Sequence, residues 1–502
     1  MRPERVVIIG GGIGGLSACL ELAHLGFNVT VLEKESHVGG KIRQLTVGSG
    51  DGIGLIDSGP TVFTMRWVFE ELFDTCNASF ADHIETEALD ILARHTWGEC
   101  HLDLFADRYK SADAIASFSS PVEAKAFLEF CAMAKKVYGA LEKPFIKSPR
   151  PSMLGMMAAL GIANSKPLME IGPFSNLWDS LGKYFRDPRL HQLFGRYATY
   201  CGSSPFLAPA TLMLIAQVEM DGVWSVKGGM AQIPKAIARL AESKGATIRT
   251  NTTIRQLHSR ANHIESIELM DGERIPVDYV IFNGDINALR LGLLGESISP
   301  SIANSIPNSR SLSAITWSMK AKTSGFPLVR HNVFFNQPYQ QEFSDIFDKR
   351  KYPISPTVYI CAQDRTDSGD ALNDEERLLC LVNAPAIGDE QHINQEEIER
   401  CEQSAFSLLH QCGLKIEQST QQTIRTTPTE FNRLFPGRGG ALYGQATHGW
   451  MSSFQRSNAL SKINNLFLAG GSVHPGPGVP MAALSGRQAV AALMAHRNST
   501  KR

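Results

Sequence analysis

Val6-Val7-Ile8-Ile9-Gly10-Gly11-Gly12-Ile13-Gly14-Gly15, with Asn28-Val29-Thr30-Val31-Leu32-Glu33 downstream, is the stretch on which the fold turns. The four-residue apolar run predicts a parallel strand buried on both faces. Gly10, Gly12 and Gly15 form G-x-G-x-x-G, and Gly14 belongs to the same turn. The first glycine permits the tight turn, the second a close backbone approach to a diphosphate, and the third close packing of helix on strand. The apolar positions Leu16, Leu20, Leu22 and Ala23 predict the helix, with Gly26 as its C-terminal cap. The second β-rich run completes a right-handed βαβ unit. The helix N-terminus offers free N–H groups and a positive dipole end to phosphates. Glu33, 18 residues after Gly15, is placed to accept from ribose hydroxyls.

Three further motifs choose the dinucleotide. Gly39-Gly40-Lys41 resembles the second signature of the glutathione-reductase-type FAD family, in which bare backbone meets the diphosphate; Lys41 or Arg43 would balance its charge. Asp57-Ser58-Gly59-Pro60-Thr61 is similar to the D-x-G-P-T segment these flavoproteins place beside the isoalloxazine, which marks Gly59, Pro60 and Thr61. Near the end, Leu466–Ala469 predicts a strand and Met481–Ala495 a helix, joined through Gly470-Gly471 and Gly478-Val479-Pro480-Met481. Gly471, Gly478, Val479, Pro480 and Met481 are expected at the flavin, where backbone N–H groups of a helix start stabilise charge at N1 and O2.

The rest of the chain predicts how these pieces assemble. Expected elements are a helix at Gln232–Lys244, strands at 247–250 and 253–257, a hairpin turning at Asp271-Gly272, and a buried strand at Tyr279–Phe282. Ile254, in the second of those strands, is counted with the cofactor-binding residues. Residues 80–215 read as helical, and 305–455 as mixed strand and helix. The fold class is therefore α/β: a Rossmann-type FAD-binding domain of the glutathione-reductase and amine-oxidase type with an inserted α+β substrate domain. Residues 1–80, 216–304 and 456–502 are assigned to the first, and 81–215 and 305–455 to the second.

Composition excludes other classes. A 502-residue chain exceeds one hydrophobic core. Its 49 basic and 50 acidic residues leave no field for nucleic acid. Nine scattered cysteines without a CxxC pair predict a reducing compartment, with neither disulfides nor a metal site. Val6–Ile9 is too short for a signal sequence, and no apolar run is long enough to span a bilayer. The expected location is cytoplasmic, peripheral to the inner membrane.

The chain resembles the phytoene-desaturase-type carotenoid desaturases, within the amine-oxidase-like flavoproteins. The likeness runs along nearly all of it: Phe185-Arg186-Asp187-Pro188, Tyr200-Cys201-Gly202-Ser203-Ser204-Pro205, Gly228-Gly229-Met230, Asn283-Gly284-Asp285, His331-Asn332-Val333-Phe334-Phe335 and Gly440-Ala441-Leu442-Tyr443-Gly444. Gly59 through Leu72, with Ala93-Arg94-His95-Thr96-Trp97, is most similar to the 1-hydroxycarotenoid 3,4-desaturases, also called methoxyneurosporene dehydrogenases. The chain departs from the wider pattern in two places: Ser472 follows Gly470-Gly471 where many relatives have Asp, and Arg330 precedes His331 where related desaturases often have His.

The resemblance implies FAD as cofactor, a C40 carotenoid as substrate, and removal of two hydrogens across C-3 and C-4. The electron acceptor is left open between quinone and oxygen, and the oligomeric state is open. His331, Tyr443 and His474 are weak candidates for removing a proton. A C40 chain leaving a bilayer unaided would cost tens of kcal/mol at ~0.8 kcal/mol per CH2, so a membrane surface is an expected partner. Met153, Leu154, Met156, Met157, Leu160 and Ile162, after Lys143, Lys147 and Arg150, read equally as an interfacial segment or a buried helix. Competing readings are a phytoene-desaturase-like enzyme, a carotenoid isomerase, another FAD oxidase acting on amines or porphyrinogens, and a flavin-free scaffold like the Rab GDP-dissociation inhibitors. The retained Gly10, Gly12, Gly15, Gly40, Gly59 and Gly478 weigh against the last.

Overall fold

A five-stranded, wholly parallel sheet draws together the start, middle and end of the chain in the computed structural model, which describes residues 3–48, 53–152, 155, 170, 175–296, 298–302, 309–365, 375–391, 394–417 and 419–500. Its strands run in the order Leu466–Leu468, Tyr279–Phe282, Arg5–Ile9, Asn28–Leu32, Thr247–Arg249. Val6 to Ile9 pair with Tyr279 to Phe282 on one side and Val29 to Leu32 on the other. That two-sided burial explains the unbroken apolar runs.

The helix Ile13–His24 is buried along nearly its whole length. It packs between the sheet, the helix Gln232–Ser243 and the final helix Val479–Thr500. A β-carbon on Gly486 would lie 2.1 Å from the Gly14 carbonyl oxygen, so the first and last helices cross at backbone contact. Gly26 ends the first helix in a left-handed conformation, φ +82°, while Phe27 N–H closes on the Leu22 carbonyl.

A second, eight-stranded sheet is mostly antiparallel. It includes Ser313–Ser324, Glu376–Ala384, Val358–Ala362, His331–Phe334, Ile91–Trp97 and Cys100–Phe105. This corrects the helical expectation for 80–215 in its first part only; from Arg108 on, the described residues of that range are largely helical, as expected. Ile91–Trp97 and Cys100–Phe105 pair with each other, and His331–Phe334 adds to the first in parallel. One partner of Ile91–Trp97 follows it directly in a tight hairpin and the other lies more than 200 residues away, so only half of its pairing is local.

In Glu376–Ala384 and Val358–Ala362 the faces alternate. Leu378, Cys380, Val382, Val358 and Ile360 join a core covered by the helix Gln395–Gln411. Leu379, Leu381 and Tyr359 point the other way, into a cavity. A helical layer including Pro121–Leu141, Pro188–Gly195 and Leu214–Met220 closes that cavity from the far side. Within it, Phe185-Arg186-Asp187-Pro188 is a capping motif: the Asp187 carboxylate accepts from Arg189 N–H at 2.9 Å and from Ser119 Oγ at 2.7 Å.

Candidate functional site

Between the two sheets lies one cavity of about 1180 Å³. At one end the parallel strands stop in bare backbone. Gly39 N–H donates to the Gly11 carbonyl at 2.8 Å, and Asn283 Nδ2 donates to the Gly10 carbonyl at 3.0 Å. A β-carbon on Gly14 would lie 2.6 Å from Asn283 Oδ1 and 2.9 Å from Gly470 N, and one on Gly40 would lie 3.2 Å from Gly12 Cα. One on Gly15 would meet the Gly10 carbonyl oxygen at 2.3 Å, so Gly15 serves helix–strand packing behind the cradle and does not line the cavity. Glu33 is buried at the cavity wall, its carboxylate accepting from the N–H groups of Gly11 at 2.7 Å and Glu35 at 2.9 Å. Both oxygens keep lone pairs for ribose hydroxyls.

Gly10, Gly12, Gly14, Glu33, Gly40, Lys41, Arg43, Ile254 and Gly471 all line this cavity. Lys41 Nζ donates to the Leu442 carbonyl, and burial lowers its pKa. Arg43 is turned toward protein, donating to the Ser58 carbonyl at 3.2 Å and Thr426 Oγ1 at 3.1 Å. Of the two cations, Lys41 is therefore the one less committed to protein partners.

Gly59, Pro60 and Thr61 line the middle of the cavity. A β-carbon on Gly59 would lie 1.9 Å from the Lys41 carbonyl oxygen, which holds two motif loops together at backbone distance. The final helix begins at Val479, two residues before the expected start, and Gly478, Val479, Pro480 and Met481 also line the cavity. The first helical N–H bond is Ala482 to the Gly478 carbonyl, at 2.9 Å. The N–H groups of Val479 and Met481 thus lack intrahelical acceptors; Pro480 supplies none. A cradle that excludes β-carbons, a carboxylate at one end and free helix N–H groups at the other fit an extended dinucleotide.

The remaining cavity is mainly apolar. Leu141, Phe145, Ile146, Leu214, Ile215 and Val218 wall it. A polar group interrupts that wall: Tyr359, Arg196, Tyr200 and Glu219. Tyr359 Oη lies 2.7 Å from both Thr61 Oγ1 and His331 Nδ1. Glu219 accepts from Tyr197 Oη at 2.8 Å, and burial raises its pKa. Sequence reading missed this group apart from Tyr200, quoted only as part of a motif. Its members come from three separated segments, and an Arg-x-x-x-Tyr spacing was the only local signal.

The three proton-transfer candidates are placed differently relative to the cavity. His331 stands behind Tyr359 and does not line the cavity; burial, then Arg330 and Arg196, lower its pKa to about 3. His474 also lies outside the lining, its Nε2 on the Phe145 carbonyl at 2.9 Å, and burial lowers its pKa to about 4. Tyr443 does line the cavity; burial pushes its phenol up to about 12, so like an ordinary phenol it stays protonated at neutral pH. The apolar cluster from Met153 to Ile162 lies outside the described residues. Of the cations before it, Lys147 is committed to Glu71 and Glu142, each at 3.3 Å. Among the described residues, no helix is long and apolar enough to cross a membrane.

Residues 13–494 match the family described as flavin containing amine oxidoreductase. The chain is 53% identical to a hydroxyneurosporene desaturase of Rubrivivax gelatinosus, over 100% of its own length and 95% of the relative's. It is 38% identical to a hydroxyneurosporene desaturase of Cereibacter sphaeroides, covering 99% of both chains. Among solved structures, a putrescine oxidase variant redesigned in its cofactor site superposes with a TM-score of 0.61 at 13% identity, over 98% of this chain and 99% of that one.

Proposed function

The chain belongs to the flavin containing amine oxidoreductase family, and from that premise we propose that it is a FAD-dependent carotenoid desaturase that introduces the C-3,4 double bond into 1-hydroxy- or 1-methoxy-carotenoids. The observation that carries this reading is the single cavity shared by a dinucleotide cradle and a long apolar extension. Likeness over the full chain to hydroxyneurosporene desaturases supports the substrate class.

Bound FAD would supply the two-electron acceptor for a desaturation that takes a hydride equivalent from the allylic C-4 while the second hydrogen leaves C-3 as a proton. The chain's own groups supply position, dryness and charge placement. The glycine cradle and Glu33 hold the dinucleotide's phosphates and ribose. The N–H groups of Val479 and Met481 would stabilise the negative charge that the flavin gains on reduction. The apolar wall from Leu141 to Val218 excludes water and keeps the polyene extended. Substrate enters from a membrane surface, because a C40 chain has almost no aqueous concentration; the wall residues Leu141, Phe145 and Ile146 directly precede the 153–162 apolar cluster in sequence.

Expression in a strain that accumulates 1-hydroxycarotenoids tests the reading. The pigment should gain one double bond and absorb at longer wavelength. Unchanged pigment alongside a soluble, yellow protein would overturn it, and a change of isomer without net oxidation would favour an isomerase.

A further inference from the structure

The cavity contains a cation for which the dinucleotide cradle has no use. Arg196 opens the 3-10 turn Arg196–Cys201. Its Nη1 donates to Tyr200 Oη at 3.1 Å, and its guanidinium stands 5.2 Å from the Tyr200 ring and 5.5 Å from the Tyr359 ring. Among the described residues it forms no direct ion pair, the buried carboxylates of Glu219 and Glu342 acting on it only through space, and it lines the cavity. Burial opposes its charge, but the tyrosines around it, Tyr200 first, more than offset that.

Tyr200 is used on both sides. Its hydroxyl engages the Glu219 carboxylate and accepts from Arg196. Glu219 is further occupied by Tyr197. Beyond the bond to Tyr200, the N–H groups of Arg196 have no hydrogen-bond acceptor among the described residues, and the residue lines the cavity. A buried guanidinium with open donors is costly unless a ligand completes it.

We infer that Arg196 is the specificity determinant that holds the oxygen at C-1 of the carotenoid. This deepens the substrate reading above and rests on it. A hydroxyl and a methoxy oxygen differ in whether they can donate, but both accept, and a site that presents only donors takes either. The placement also suits the reaction. The C-1 oxygen lies three bonds from C-3, about 4 Å at ordinary bond lengths. The guanidinium neighbours the Tyr359 ring, and Tyr359 Oη is 2.7 Å from Thr61 Oγ1, in the segment expected beside the isoalloxazine. Anchoring the oxygen there sets C-3 and C-4 near the reactive ring and leaves the apolar cavity for the rest of the polyene.

The test compares full-length, flavin-loaded wild type, Arg196→Met, Arg196→Lys and Tyr200→Phe on a 1-hydroxycarotenoid and its counterpart lacking the oxygen. Both substrates are presented in the same vesicles. Flavin reduction under anaerobic conditions gives kcat/KM, and quenching of tryptophan fluorescence gives binding without turnover. The wild-type preference for the oxygenated substrate should fall roughly 10- to 100-fold in Arg196→Met. The loss should sit mainly in KM and Kd, with partial recovery in Arg196→Lys. A preference unchanged in flavin-replete Arg196→Met overturns the assignment. So does an equal loss on both substrates, or loss of flavin, which would place Arg196 at the cofactor. If Arg196→Met does not fold, an unchanged preference in both Arg196→Lys and Tyr200→Phe overturns it. A wild type that treats both carotenoids alike also sinks the anchor while leaving the desaturase reading standing. A wild type that oxidises neither sinks that reading itself.

Discussion

Glu33 Oε2 accepts from the backbone N–H of Gly11 at 2.7 Å, tying the end of the second strand to the glycine turn after the first. Its other oxygen accepts from Glu35 N–H. Glu33→Ala removes both acceptors and the group that faces the ribose. Apoprotein titrated with FAD should show affinity reduced about 10- to 100-fold, the worth of one charge-assisted hydrogen bond. Undiminished affinity would remove Glu33 from the cofactor site.

Asn283 joins the middle strand to the same turn, donating to the Gly10 carbonyl at 3.0 Å. Asn283→Leu leaves that carbonyl without its partner and crowds Gly14. Stability should drop by about 1–3 kcal/mol, read from urea midpoints, with flavin retained less well through gel filtration. Wild-type midpoint and flavin content would refute the coupling.

Gly14 and Gly486 separate cofactor binding from packing. A β-carbon on Gly14 would collide with Asn283 Oδ1 beside the cradle, whereas one on Gly486 would strike the Gly14 carbonyl from the last helix, outside the cavity lining. Gly486→Ala should lower stability by about 1–3 kcal/mol through overpacking, and thermal melts should show it with or without added FAD. Gly14→Ala should cost flavin content as well. The same flavin loss in both variants would contradict this division.

Acid should destabilise the fold through buried histidines. Burial lowers the pKa of His95 and His331 to about 3 and of His448 and His474 to about 4, against 6.5 when unfolded. Between those values the unfolded chain binds protons that the folded chain does not. Stability is therefore full above pH 6.5 and declines as pH falls toward 3 to 4, by up to about 2 kcal/mol per histidine at pH 5. Melting temperatures measured from pH 8 to pH 5 should be flat at first and then fall, and His331→Gln should soften the fall. A level profile down to pH 5 would disprove it.

Sequence reading captured what depends on local backbone. The strand Val6–Ile9, the helix after Gly15, the hairpin near Asp271-Gly272 and the final helix were all legible, because apolar periodicity and turn residues encode them within a few positions. It failed at Ile91–Trp97, which pairs with the adjacent Cys100–Phe105 and, far along the chain, with His331–Phe334. It named His331 and His474 only as weak candidates for removing a proton, on residue type alone; burial behind Tyr359 and against Phe145 keeps both out of the cavity lining.

By itself the sequence determined the parallel α/β fold and marked the dinucleotide cradle, since the glycine spacing and the flanking apolar runs are local, although the contacts that exclude β-carbons there come from Asn283 and Gly470 far along the chain. Only the tertiary structure decided what fills the other half of the cavity. Arg196 and Tyr200 come from the helical layer, Tyr359 from the second sheet and Thr61 from the loop before the helix Trp67–Thr75. Their meeting is a property of how the layers pack, and no spacing along the chain records it.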